Sequence, residues 1–371
     1  PDFGATVGAA GVTGRKDVSW VDRRDFGQHI AGLVLGIAGA AGLDTGRLFA
    51  LLPQAEPTGT RHVGTADVEV IEQLTAAFVR QDFAHGSGLI RDASVSQLQA
   101  VLPLLDAQVP AELRPRLLLA TARLAMQAGW MSYDVLDHDA ARRLWMIGLD
   151  LARHAEHPLG ADLIAYLLYD MAHQAVHLGR AKEALHLVRI GHTATVGSQP
   201  VSAATLFALA SAEAWGHALQ GDAAGCDRAL GQAEDHITMD PANSPPWAAH
   251  LVDDTDLAAH AGAAHYRLAL TGQSPPAASR AVPSLRHAVD HFGPAYARAQ
   301  ALYLPDLAGT HALAGDTDTA VTVGHQAVDA VTAVSSLRAH DRLRTLHTVL
   351  EPLHTSPGVA DLRDRLGAVA V

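Results

Sequence analysis

Cysteine is nearly missing: Cys226 is the only one in 371 residues. A single thiol supports neither an intrachain disulfide framework nor a multi-cysteine zinc site. Positive charge is in short supply as well. A formal net charge of −12 repels nucleic-acid phosphate and argues against direct DNA binding by this chain. Runs of β-branched residues are scarce while Ala and Leu dominate, a bias that favours helices because those side chains lose little entropy in them. No nucleophile elbow, phosphate loop, dinucleotide fingerprint or zinc-protease HExxH occurs, so we expect neither an enzyme nor a cofactor. Aromatic residues make up only 5% of the chain, so any clustering of them on one face carries information.

What the chain does have is hydrophobic material, 49% of its residues, and internal repetition. The stretches LGRAKEAL, QGDAAGCD, TGQSPPAA and AGDTDTAV each end one helix-like apolar run and begin another. Aligned on Gly179, Gly221, Gly272 and Gly315, they are about 42, 51 and 43 residues apart, the spacing of helical-hairpin repeats. One further step back reaches Leu136 in VLDHDAAR, a degenerate first member. Small residues recur five after the turn (Ala141, Ala184, Cys226, Ala277, Ala320) and twelve after it (Gly148, Gly191, Ala233, Ser284, Ala327). They recur again seven before it (Gly129, Ala172, Ala214, Ala308), with His265 as the exception. Antiparallel helices approach closely only where side chains are short.

This pattern resembles the tetratricopeptide (TPR) repeat, best around AMQAGWMSYDVLDHDAARRLW and Gly179 and worst in the fourth repeat with Pro275, Pro276 and Pro283. The resemblance implies an all-α, right-handed superhelix of antiparallel helical hairpins, a TPR-like α-solenoid. We place a linker at 1–20, an apolar connector at 21–62, an N-terminal helical pair at 63–109, and the repeat array with a C-terminal capping hairpin at 110–371. Within the pair, Val68, Ile71, Leu74 and Phe78 predict a helix over Thr65–Asp82 with Thr65 as N-cap. AHGSG (Ala84–Gly88) breaks it and a second helix runs over Ser94–Asp106. DPANSPPW (Asp240–Trp247) reads as a loop.

The order of elements is also similar to that of actinobacterial transcriptional regulators in which a helix-turn-helix domain of the XRE type precedes a TPR-like sensor domain. The matching stretches are DRRDF (Asp22–Phe26), the apolar Ile30–Leu43, AHGSG, and AGWM (Ala128–Met131). No helix-turn-helix precedes Asp22, so DNA would be reached only through a domain outside this chain. The resemblance implies a cytoplasmic module that binds a peptide or small-molecule effector and a protein partner or a second copy of itself, as a homodimer, with no membrane. Val21–Asp44, with Arg23 and Arg24, also has the shape of a twin-arginine export signal. Its apolar run is short and glycine-rich and no A-x-A site closes it, so a connector is the better reading.

In TPR arrays the first helix of each hairpin lines the concave groove. The resemblance therefore puts Met126, Trp130, Tyr169, His173, Trp215 and Tyr266 inside, with Arg123, Tyr133 and Asp134 from the first repeat and Tyr166 and His177 from the second. Rigid aromatic groups of this kind suit a ligand or peptide site, and for Trp130, Tyr169 and Trp215 we favour groove-lining over the filling of gaps between hairpins. Trp145 and Trp247 read as structural. His173/His177 and His287/His291 are i, i+4 pairs without an acidic third ligand, so we expect no metal. Three functions follow: an effector sensor and oligomerisation module of a regulator, a scaffold for protein partners without a small effector, or an exported TPR protein.

Overall fold

The computed structural model describes residues 62–194, 201–237, 244–250, 253–272 and 276–369. The linker at 1–20, nearly all of the connector at 21–62 and the twin-arginine stretch lie outside these residues. Fourteen α-helices occupy the described chain. The N-terminal pair is α1 (Thr65–His85) and α2 (Arg91–Val101), extended by a 3-10 turn over Leu102–Asp106. Five hairpins follow: α3 (Arg114–Asp134) with α4 (His138–His154), and α5 (Gly160–His177) with α6 (Ala181–Ala194). Next come α7 (Ala203–Leu219) with α8 (Ala223–Ile237), α9 (Asp254–Leu270) with α10 (Ala277–His291), and α11 (Ala297–Leu313) with α12 (Thr317–Thr332). The last pair is α13 (Leu337–Val349) and α14 (Pro357–Val369). The chain is thus an all-α stack of antiparallel hairpins, a TPR-like solenoid.

The five repeat markers coincide with a backbone singularity. Gly179, Gly221, Gly272 and Gly315 all have φ between +67° and +84°, and Leu136, aligned with them, has φ +61°. Each ends the first helix of a hairpin in the left-handed conformation, which spares glycine the Cβ clash other residues meet. At Gly179 the amide donates to the Val176 carbonyl at 3.0 Å and the Arg180 amide to Ala175 at 2.8 Å, closing the helix and turning the chain into the next. Leu136 repeats the bonding through Tyr133 at 2.9 Å and through Asp137 to Ser132 at 2.9 Å, without glycine's freedom.

The small-residue register also holds. Ala141, Ala184, Cys226, Ala277 and Ala320 are fully buried, and so are Gly129, Ala172, Ala214 and Ala308, with His265 nearly so. At Gly129 an added Cβ would sit 2.5 Å from the Trp145 ring nitrogen, so glycine sets how closely α3 and α4 cross. Ser284 departs from the pattern. It is half-buried, while Ala281, Leu285 and Ala288 fill the interface of α10, a helix that carries Pro283 within it. The N-terminal helix starts one residue earlier than its sequence suggests: Gly64, not Thr65, is the N-cap, and its amide donates to Asp67 at 2.8 Å.

The ends of the array meet. Helix α1 packs against both α3 and α11, and α13 packs on α11 and touches α3. The AHGSG turn docks on the start of the last pair: the Gly88 amide donates to the Ser335 carbonyl at 2.8 Å, and the Ser335 amide to His85 at 2.7 Å. A Cβ at Gly86 would lie 2.6 Å from that Ser335 carbonyl oxygen, which explains the glycine independently of its φ of +79°. Beneath the contact, Arg298 of α11 bridges Asp82 of α1 at 3.0 Å and Asp134 of α3 at 3.4 Å. Asp134 also accepts from the Ser336 hydroxyl at 2.9 Å and the Ser87 amide at 3.2 Å. Arg338 of α13 approaches its carboxylate at 3.5 Å. The final pair is therefore more than a cap, because its first helix helps close a ring.

Two sets of substitutions check these assignments. Gly315→Ala is expected to destabilise by about 1 kcal/mol, because its φ is positive. Gly231→Ala, in an exposed stretch of α8 with open space around it, is expected to stabilise by about 0.5–1 kcal/mol, both read by chemical denaturation. Arg298→Ala strips buried Asp82 of its cation, leaves Asp134 only Arg338 at 3.5 Å, and is expected to cost about 3–5 kcal/mol by the same measurement.

Candidate functional site

Closure of the ring encloses a chamber walled by the first helix of each pair. It holds about 1170 Å³ of space between atoms, open solvent at its mouth included. Helices α1, α3, α5, α7, α9, α11 and α13 all contribute side chains, as does the segment Pro246–His250. Of the residues expected to face inward, Arg123, Met126, Trp130, Tyr166, Tyr169, His173 and Trp215 lie on the wall. Tyr133, Asp134, His177 and Tyr266 do not. Asp134 belongs to the ring-closing cluster, and the Tyr266 hydroxyl packs where a Cβ on Gly309 would come within 2.4 Å. Tyr133 stands behind the wall with its hydroxyl between His173 Nδ1 at 3.0 Å and His177 Nδ1 at 3.1 Å. His177 in turn meets Asp341 of α13 at 3.0 Å.

An aromatic belt crosses the wall. Trp130 meets His173 edge-on at 5.3 Å between ring centroids, His173 meets Trp215 at 5.0 Å, and Trp215 meets His260 at 4.8 Å. Each residue comes from the next inner helix, and the hairpin register lays down the first three, six before their turns, while His260 stands twelve before its own. Trp215 is fixed by its indole N–H, which donates to the His260 carbonyl at 3.0 Å. His260 stacks on Phe207 at 5.0 Å with the rings 10° from parallel. Trp145 is structural, its indole donating to the Met126 carbonyl at 3.2 Å. Trp247 has both roles: it donates to buried Asp162 at 2.8 Å, anchoring its segment, and it also lines the chamber.

Five arginines reach the chamber: Arg123, Arg267, Arg298, Arg338 and Arg342. Arg298 is committed to the ring closure, and Arg342 pairs with Asp306 at 3.1 Å. Arg338 lies 4.8 Å over the Trp130 and Tyr133 rings, and Arg267 lies 5.5 Å over Trp215. Burial, aided by Arg342 nearby, brings the Arg267 guanidinium down to about 10. Among the acids, burial holds the Asp170 carboxyl well above the usual carboxylate range, with only Arg338 opposing it. Asp256 is raised by burial and by Asp253 beside it. Burial and the neighbouring guanidiniums keep His173 well below its ordinary range, and burial lowers His250 to about 4 and His260 to about 3. The imidazoles on the wall are therefore neutral at pH 7.

Sequence reasoning missed Asp170, His260, Arg267, Arg298, Arg338 and Arg342. At three of the five turns the position nine before also faces in, bringing Gln127, Asp170 and Ala263 to the wall, whereas Ala212 and Asp306 at the other two do not line it. Arg298, Arg338 and Arg342 reach the chamber only because the ends of the array meet. Elsewhere, Cys226 is buried in its packing slot and its thiol is pushed up to about 12, chiefly by burial, which makes it inert. His287 and His291 stack at 4.1 Å, and no cluster of three or more His, Cys, Asp or Glu suited to a metal occurs among the described residues. No helix of the described residues is long and apolar enough to cross a membrane.

The depressed histidines make stability depend on pH. The unfolded chain protonates His260 near its ordinary 6.5 while the folded one resists to about 3. Its contribution to stability is therefore complete above 6.5 and lost as pH falls through that window, at about 1.4 kcal/mol per unit. His260→Phe, which keeps the stack on Phe207, is expected to lose roughly 2 kcal/mol less than the unsubstituted protein between pH 7 and pH 5. Denaturant midpoints at the two pH values measure the difference.

No family model and no curated protein matches the chain. Among solved structures, the chain is similar to the crystal structure of a Rap protein complexed with competence and sporulation factor. The two are 12% identical with a TM-score of 0.43, over 82% of this chain and 96% of the other.

Proposed function

We propose that this chain is the effector-sensing and protein-interaction module of a bacterial transcriptional regulator, and that a peptide or small molecule binds in the ring's chamber. The observation that carries this reading is the chamber itself. The room in it that a water-sized molecule can occupy is about 130 Å³, enough for a small ring system or one side chain of a peptide. Three of the chain's five tryptophans line it, beside buried polar groups that a purely structural core would have replaced with apolar ones. The regulatory part follows from the ordered motifs DRRDF, AHGSG and AGWM, and DNA contact is assigned to a helix-turn-helix domain outside this chain. An effector that binds only the closed ring stabilises it by mass action, so occupancy is transmitted to the surfaces where a partner or a second copy docks.

Titration calorimetry with fractionated cell extract and a peptide panel tests the reading. A binding fraction is expected to raise the thermal midpoint and to change tryptophan emission in the unsubstituted protein. The doubly substituted Trp130→Ala, Trp215→Ala protein, verified as helical by circular dichroism, is expected to lose both effects. Capture of a protein partner with no small molecule or peptide bound would sink the sensor reading in favour of a scaffold.

A further inference from the structure

Two guanidiniums of the chamber, those of Arg267 and Arg338, are incompletely paired with the carboxylates around them. Arg267 is 8% exposed, and no carboxylate lies within 4 Å of it among the described residues. Its one hydrogen bond goes from Nη1 to the Ala263 carbonyl of its own helix at 2.8 Å. Arg338 is 4% exposed, and its Nε and Nη1 have no hydrogen-bond partner. The carboxylate nearest to it, that of Asp134, already accepts from Ser87, Ser336 and Arg298. Arg123 also leaves its buried Nε without a partner. Opposite these, Asp170 is buried on the wall and makes no hydrogen bond or ion pair within 4 Å, and burial raises its carboxyl well above the usual carboxylate range against the opposing pull of Arg338.

A buried cation without a counter-charge is costly, and a guanidinium beside an aromatic face is the usual protein partner of a carboxylate or phosphate. Arg338 covers the Trp130 end of the belt and Arg267 the Trp215 end, with neutral His173 between them. We propose that the chamber binds a flat organic anion, its body against Trp130, His173 and Trp215 and its charged group on Arg267 and Arg338. The proposal rests on the chamber being the effector site and deepens it by naming the ligand's charge. The chain's net charge of −12 makes the preference diagnostic, because unspecific attraction would favour cations.

Two fluorescent probes with the same rings test it: 1-anilinonaphthalene-8-sulfonate and N-phenyl-1-naphthylamine, which lacks the sulfonate. Energy transfer from the chamber tryptophans reports binding of each to the full chain. The sulfonate is expected to bind at least tenfold tighter. Arg267→Met should abolish that preference by weakening the sulfonate at least tenfold more than it changes the neutral probe. Arg280→Met, at an exposed pair with Asp227, should leave the preference intact. Arg338→Met is a second reading of the same effect, and Arg267→Met decides if loss of Arg338 unfolds the ring. Displacement of the sulfonate by 1-naphthoate against 1-naphthyl phosphate tells which anion suits the site, and failure of both to displace it overturns the inference. Equal affinity for the two probes, or a preference untouched by Arg267→Met, overturns the anion assignment and leaves the chamber reading standing. Absence of energy transfer with both probes removes the chamber reading too.

Discussion

One guanidinium holds the architecture closed. Arg298 joins Asp82 and Asp134, which belong to helices near the start of the described chain, while the arginine itself lies 164 residues beyond Asp134. A buried ion pair adds little net stability over well-packed apolar groups, but breaking one strands a charge. The cluster therefore acts mainly as a specifier: it fixes which helices meet, and Ser87, Ser336 and the backbone at Ser335 complete the seam. Without that seam the hairpins would form an open groove. With it, the inner helices share one enclosed space.

The wall of that space is polar, and burial works against charge on its weaker acids and bases. His173, His250 and His260 are held neutral by burial, with guanidiniums reinforcing the effect, and burial raises the Asp170 carboxyl well above the usual carboxylate range. The guanidiniums keep their charge, because even the strong burial of Arg267 brings it only to about 10. The same desolvation that silences the weaker acids and bases thus leaves the guanidiniums as the remaining strong field inside, in a medium where charge is poorly screened.

Much of the fold was legible because hairpin repeats are written locally. A left-handed turn needs glycine and a close helix crossing needs a small side chain, so both recur in the sequence at fixed offsets. Leu136 shows how strong the register is, since it takes the same backbone conformation without glycine. Periodicity also brought Trp130, His173 and Trp215 to one belt. It could not reveal the half of the chamber supplied by α11 and α13, because no local pattern states that the ends of an array touch. The same blindness made the final pair look like a simple cap and Trp247 look only structural. Tyr133 and Tyr266 fall behind the wall for a different reason: a helix facing a ring interior also packs sideways, and large rings at its margins go to the neighbouring helices.

The distance in sequence across the seam has a consequence in time. Each hairpin closes over a few tens of residues and gains its contacts as soon as its own two helices exist, whereas the Ser336–Asp134 bond joins groups 202 residues apart. During synthesis the tryptophans of the belt are placed early, on an open and solvent-filled spiral. The chamber comes into being only when Arg338 has left the ribosome, so nothing that depends on an enclosed site can be recognised by an unfinished chain.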